Sequence, residues 1–392
     1  MDAPPAGAKG PKTPRTFPRL PDERGDHGGS SVVLADGLAC YVRLVLRRRL
    51  VSLTLATACA PVAAPSTPAP AVLAPASAGN VSPRPPEPAV ETAPVREPVA
   101  TTTTPQPAQP FPPPDIEPPS IRSAEPGDGQ WKPLGESPPG GAAALLYTAL
   151  IHPHVSSRFI TLSLVAIDLT RARIEFVPGV DDVVRQQVPF VPGLVPERDR
   201  AGLVAAFNGG FMPQHGRWGM RVGETTLLPP REPGCTIALT AADRVEIRSW
   251  PALASRSGEL RALRQTPPCL LEEGEVHPDL IAGRERAWAG HTPGIVTRRR
   301  SALGVSKDGK TLLYALGVEC SPKLLATGLR AAGAASAAQL DINWNWTRFL
   351  LFAADSNGKP RVTTTLAEVD HTKRDYVEAA SKRDFFYVVR RD

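Results

Sequence analysis

Between Ala60 and Gly140 the chain carries 23 prolines in 81 residues, interleaved with Ala, Thr, Ser and Glu. Proline has no backbone N–H and a fixed φ, so neither a helix nor a sheet ladder runs through such a stretch. No period of two or of 3.6 residues relieves it, and the segment cannot bury a core. The 392 residues are therefore not one compact domain. Residues 60–140 are expected to be a disordered linker between a leader and a C-terminal block, 141–392, of ordinary size for one large domain.

Charge divides at nearly the same places. Residues 1–59 hold 9 Lys and Arg against 5 Asp and Glu, residues 60–150 hold 4 against 8, and residues 151–392 hold 32 against 26, which together give the net +6. The C-terminal excess is mild and scattered, without a zinc-finger or RNP pattern. No nucleic-acid partner is expected, and an anionic small substrate or glycan suits this balance. The chain has no HExxH, no Gly-x-Ser-x-Gly elbow and no GxGxxG after a strand. Zinc protease, serine hydrolase and nucleotide-dependent chemistries are set aside on that basis.

Residues 42–59 read as an export signal. A basic cluster, Arg43 and Arg47 to Arg49, precedes nine mostly apolar residues, Leu50 to Ala58, and then Cys59. Nine residues rise about 14 Å as a helix, short of the ~30 Å hydrocarbon core, so this is a signal segment and not a membrane span. Ala56-Thr57-Ala58 before Cys59 resembles a bacterial lipobox, which would make Cys59 the lipidation site and the membrane a partner only through that anchor. Cleavage nearby with plain secretion is the alternative. Residues 1–41, polar and without periodicity, are expected to be a non-native or disordered extension. The Pro-rich segment would then be an extended spacer, holding the domain off the bilayer of a bacterial envelope.

Cys40 and Cys59 fall in the leader, leaving Cys235, Cys269 and Cys320, so at most one disulfide forms within the domain and one thiol remains. Strand-like runs occur at Phe159 to Leu169, Arg173 to Val177, Leu203 to Phe207, Thr236 to Leu239, Arg244 to Ile247, Leu312 to Val318 and Phe349 to Ala353. Ser321 to Gly333 has a cap, a first-turn proline and a glycine stop, and predicts a helix. The expected class is α+β or mixed α/β: a strand-rich single domain with a mixed sheet and flanking helices.

Four segments in order carry a resemblance. They are AAFNGGFM (Ala205 to Met212), LRQTPPCLLEEGEV (Leu263 to Val276), RSALGVSKDGKTLLYALGV (Arg300 to Val318) and GLRAAGAASAAQLD (Gly328 to Asp341). Their order and spacing resemble the phosphodiester glycosidase family, bacterial relatives of the lysosomal enzyme that removes N-acetylglucosamine from phosphorylated mannose. The chain departs from that pattern after the last segment. Where the family has Asp-Gly-Gly-Gly-Ser, it reads Asp341-Ile342-Asn343-Trp344-Asn345-Trp346-Thr347, and side chains should fill the space that glycines leave open.

The resemblance implies a mixed fold with a site at strand ends and assigns roles. Asp341 is the carboxylate and Arg300 the phosphate clamp. From their own positions, His215 and His291, in loops next to glycine, are each a candidate proton shuttle, and Glu319, ending a strand, is a lower-ranked second carboxylate. Asn208 with the Gly209 and Gly210 amides would bind sugar hydroxyls or phosphate, and Arg264 and Gln265 would orient the substrate. Asn343, Trp344 and Trp346 would offer a sugar-stacking platform. No cofactor is expected; Asp341 and Asn343 supply two oxygens, which do not define a calcium site, and metal dependence stays open. The implied function is an envelope-anchored hydrolase cleaving glycosyl-1-phosphodiester bonds, with a sugar-phosphate or polysaccharide substrate in a cell-surface glycan or exopolysaccharide component. The alternative is a non-catalytic glycan-binding or structural lipoprotein on the same scaffold.

Overall fold

Eight strands, whose four long central members Thr161–Asp168, Thr311–Cys320, Arg298–Ser306 and Ala334–Gln339 are mostly buried on both faces, form the centre of the computed structural model, which describes residues 111–135, 143–181, 193–289, 298–366 and 375–391. All of these lie in one unit, Val99–Asp392. The leader, Cys59, most of the linker and His291 lie outside the described residues. From one edge, the strands run Lys132–Pro133, Leu146–Ile151, Thr161–Asp168, Thr311–Cys320, Arg298–Ser306, Ala334–Gln339, Leu271–Glu272 and Glu275–Val276. A five-stranded sheet orders Thr225–Leu228, Met220–Val222, Leu260–Thr266, Cys235–Thr240 and Val245–Ser249. Another orders Pro360–Thr365, Phe349–Ala354, Leu203–Asn208, Phe385–Arg390 and Ala172–Val177.

Every described strand pair is antiparallel. This corrects the expectation of a mixed α/β class with flanking helices: the described residues are strand-rich, with three antiparallel sheets and few helices. Parallel pairing needs a crossover of a dozen residues or more, usually helical. Here one described α-helix, Pro322–Ala331, has ten residues and the others have four. Even the strand that follows that helix, Ala334–Gln339, returns antiparallel to Arg298–Ser306.

The period of two along the central strands sorts their side chains into two cores. Leu162, Leu164, Ala302, Leu313 and Ala315 face the helix, meeting Leu325, Ala326 and Leu329. Val165, Ile167, Leu303, Tyr314 and Leu316 face the other way, toward Phe207, Phe349 and Phe386 of one five-stranded sheet and Ile237 and Leu239 of the other. The helix begins where the sequence indicates, with the Ser321 hydroxyl accepting from Leu324 N at 3.3 Å. It lies close on the sheet at Gly328, where a Cβ would fall 2.2 Å from Leu162 Cδ2. Cys235 and Cys269 form a disulfide and Cys320 is a buried free thiol, which burial pushes up to about 12.

The fold is entered before residue 141. Phe111, Ile116 and Trp131 pack on the helix-side core, Ile116 N donates to Gly129 O at 2.9 Å, and Trp131 Nε1 donates to Pro114 O at 3.1 Å. Lys132 and Pro133 then pair with Thr148 and Tyr147. Prolines 112 to 114 need no ladder, so three apolar anchors hold this part of the Pro-rich run in place.

Candidate functional site

Five chain segments meet where strands of two sheets begin or end. Leu203–Asn208 runs out into Gly209 and Gly210, and Ala334–Gln339 into Leu340 and Asp341. Arg383 and Asp384 precede Phe385–Arg390, Arg348 precedes Phe349–Ala354, and Arg298–Ser306 contributes Arg299 and Ser301. The buried Asp341 is held from both its backbone and its side chain. Asp341 N donates to Gly209 O at 3.0 Å, and its carbonyl accepts from Ser301 Oγ at 3.0 Å. Oδ1 accepts from Ile342 N at 2.7 Å and Asn343 N at 3.1 Å, and Oδ2 accepts from Arg383 Nη2 at 2.5 Å.

A carboxylate oxygen has room for about two hydrogen bonds. Oδ1 is therefore filled and Oδ2 keeps one lone pair. Burial raises the Asp341 pKa, while the Arg383 guanidinium and the two amides pull it back only in part.

Asn208 reaches the same place as a brace. Its Nδ2 donates to Ser301 Oγ at 2.8 Å and Gly209 O at 3.1 Å, and its Oδ1 accepts from Tyr314 Oη at 2.9 Å and Arg348 N at 3.1 Å. The following amides are also taken up. Gly209 N donates to Asp384 O at 2.9 Å and Gly210 N to Asp384 Oδ2 at 3.1 Å. Asp384 Oδ2 in turn accepts from Arg264 Nε at 2.5 Å, both side chains fully buried. Glycine is required because a Cβ on Gly209 would lie 2.5 Å from Asp384 Oδ2, and one on Gly210 would lie 2.9 Å from Arg264 Cζ. Arg264 also donates to the carbonyls of Phe211, Trp218 and Gln265. Gln265 accepts from Gly219 N and Arg231 N and donates to Thr236 Oγ1, so both residues tie loops together.

Arg300 stands on the opposite face of its strand. Its Nε donates to Cys320 O at 2.9 Å, and Nη1 donates to Trp288 O and Gln339 Oε1, each at 2.8 Å. Burial holds its pKa down at about 10. The neighbouring Arg299 is the arginine on the Asp341 side. It is buried with its Cζ 4.7 Å over the Trp344 ring, and Nη1 donates to Trp344 O at 3.4 Å. Burial lowers its pKa, and Arg348 nearby adds to that. Arg348 and Arg383 lie over the Trp346 ring, with Cζ at 5.8 and 5.3 Å from its centre.

Replacing the glycines after Asp341 leaves the backbone conformation accessible. None of residues 342–347 has a positive φ, and a turn closes through Asn343 O, which accepts from Trp346 N at 2.9 Å and Thr347 N at 3.0 Å. Ile342 goes inward, 7% exposed, and Trp344 outward, 56% exposed. Asn343 Oδ1 accepts from Asn345 N at 3.0 Å and stabilises the turn. His215 ends a one-turn helix, Pro213–His215, and is not bonded to Asp341. Glu319 is exposed at a strand end with φ 51°. Among the described residues no group of three His, Cys, Asp or Glu side chains could hold a metal.

The structure brings Asp341 and its loop neighbours, which the sequence reading names, together with Arg383, Asp384, Arg348 and Arg299, which it does not single out. Arg383-Asp384 just before the apolar run FFYVV was the available signal for the first pair.

The fold and site define a class: an antiparallel, strand-rich protein with a buried carboxylate–arginine centre at converging strand ends. No family model matches the chain, and no curated protein does. Among solved structures, the catalytic domain of zebrafish N-acetylglucosamine-1-phosphodiester alpha-N-acetylglucosaminidase is similar at 14% identity and TM-score 0.41, over 64% of this chain and 85% of that one. A hypothetical protein from Synechocystis is similar at 13% identity and TM-score 0.36, over 59% of each chain. A Burkholderia pseudomallei protein described as exported is similar at 12% identity and TM-score 0.32, over 59% of this chain and 74% of that one. These are distant likenesses.

Proposed function

We propose that the chain hydrolyses a glycosyl-1-phosphodiester, with Asp341 acting at the anomeric carbon. The bond would belong to a cell-surface glycan or exopolysaccharide component, and Cys59 would tether the domain to a bacterial envelope by lipid. The four ordered sequence segments support the substrate class. The observation that carries the mechanism is Asp341 itself, whose Oδ1 is filled by two amides while Oδ2 has one bond, from Arg383.

Ordinary glycoside hydrolysis uses two carboxylates, one to protonate the leaving oxygen. A departing phosphate is a weak base and needs little protonation, so one carboxylate suffices. Asp341 Oδ2 takes a proton from a water whose oxygen bonds to the anomeric carbon. The bond from that carbon to the phosphate oxygen breaks, and its electron pair leaves with the phosphate. The products are the free sugar and a phosphomonoester, and the proton on Asp341 passes to the phosphate or to solvent.

The test offers the full chain sugar-1-phosphodiesters and nucleotide sugars and measures released sugar. The native chain should release it, and Asp341→Asn should lose at least about a thousandfold of the rate, the scale expected when a general base is removed, with an unchanged circular dichroism spectrum. No release by the native chain, or equal release by the variant, ends this reading. A glycan-binding role without catalysis is the second reading. It is favoured by the internal bonding of Asn208 and of the Gly209 and Gly210 amides, and glycan binding without sugar release would establish it.

A further inference from the structure

Arg299 carries a buried charge with no carboxylate bonded to it. The side chain is 2% exposed, and one nitrogen, Nη1, donates to Trp344 O. Nε and Nη2 have no hydrogen-bond partner. Those two nitrogens form the side edge of the guanidinium, whose parallel N–H groups match two oxygens of a phosphate or carboxylate. A buried donor left without an acceptor is costly. A fold that keeps this edge without an internal acceptor, beside a candidate reactive carboxylate, is suited to receive an oxyanion there.

We propose that the Nε–Nη2 edge of Arg299 is the subsite for the substrate's phosphoryl group, gripped by two parallel hydrogen bonds with the Trp344 ring behind the guanidinium. The proposal rests on the phosphodiester reading above: Asp341 acts at the sugar carbon and Arg299 holds the group that departs. Strand alternation places both on one side. Arg299 and Ser301 share a face, and Ser301 Oγ donates to the Asp341 carbonyl at 3.0 Å, whereas Arg300 faces the helix. Trp344, 56% exposed, stacks on the face of the guanidinium with Arg299 Cζ 4.7 Å over its ring.

The experiment melts the full chain in inorganic phosphate and in chloride at equal ionic strength. Phosphate should raise the native midpoint with a concentration dependence that yields a Kd. Arg299→Gln should weaken that Kd by about tenfold or more, the scale of a charge-assisted hydrogen bond, and Asp341→Asn should bind phosphate at least as tightly as the native chain. Arg299→Lys keeps the charge but not the fork, and it replaces the Gln variant, with the same expected loss, if that one does not fold. Absence of phosphate-specific stabilisation overturns the proposal, as does an unchanged Kd in the variant. Failure of both variants to fold in phosphate also overturns it, assigning Arg299 to the fold alone. Turnover is not read, so the two readings fail separately. Phosphate bound through Arg299 with no sugar release keeps the subsite and ends the hydrolase, and sugar release without a phosphate effect does the reverse.

Discussion

Arg299 and Arg300 adjoin in sequence and stand on opposite faces of one strand. Arg299 lies against Trp344 on the Asp341 side, and Arg300 lies under the helix-side core with its guanidinium spread over Cys320 O, Trp288 O and Gln339 Oε1. The pairing with Thr311–Cys320 slips between Arg298 and Arg300, and from Arg300 onward the two faces alternate regularly.

Arg300 is thus fixed by the fold. Arg300→Gln should cost about 3 kcal/mol of stability, because three buried acceptors lose a charged donor, and urea unfolding would measure it. A raised KM with unchanged stability would instead return Arg300 to the role of phosphate clamp.

The charge state of Asp341 sets a pH dependence. Burial raises its pKa and Arg383 lowers it, so the ionised base forms only above the ordinary carboxylate range, and the acid limb of kcat/KM lies correspondingly high. Removing the opposing charge in Arg383→Gln should move that limb to higher pH; a shift to lower pH would refute the assignment. The same sign governs folding. With the native pKa above the unfolded one, the contribution of Asp341 to stability is complete below the unfolded value and is lost as pH rises through the native one.

Gly209→Ala places a methyl 2.5 Å from Asp384 Oδ2 and should pry that carboxylate from Arg264. Breaking a buried pair of this kind costs about 3 kcal/mol or more, seen as a lower denaturation midpoint. Gly258→Ala, with nothing within 4 Å of its Cβ, is the control and should change little.

The disulfide between Cys235 and Cys269 spans 34 residues. Restricting an unfolded loop of that length stabilises by about 3 to 4 kcal/mol, so the double Ala variant should melt earlier by that amount, and reduction of the native chain should have the same effect. Equal melting of the two forms would exclude the bond's contribution.

Much of the fold was legible wherever a residue's neighbours in sequence are its neighbours in space. The central strands declared themselves by apolar runs, and the helix by Ser321, Pro322 and Gly333. Strand direction was not legible, because succession of helix and strand says nothing of which strand the next one joins. Asp341 and the NGG turn were named through their order along the chain. Arg383 and Asp384 were not, since Gly210 and Asp384 meet across 174 positions, and no local period records such a contact. Arg299 was not singled out for a smaller reason: the resembling segment begins at Arg300, one residue along and on the opposite face.

The pairing of Lys132 and Pro133 with Thr148 and Tyr147 also bears on how copies of this protein meet one another. A sheet ending on Leu146–Ile151 would offer its outer N–H and C=O groups to any extended chain, including another copy of itself. Pro133, near the end of the Pro-rich run, lies along that border and has no N–H to give. A shortened protein starting at residue 141 would bare the border and be prone to stack edge to edge, so residues 111–135, in the part of the sequence that looks least like structure, serve to cover a sheet edge.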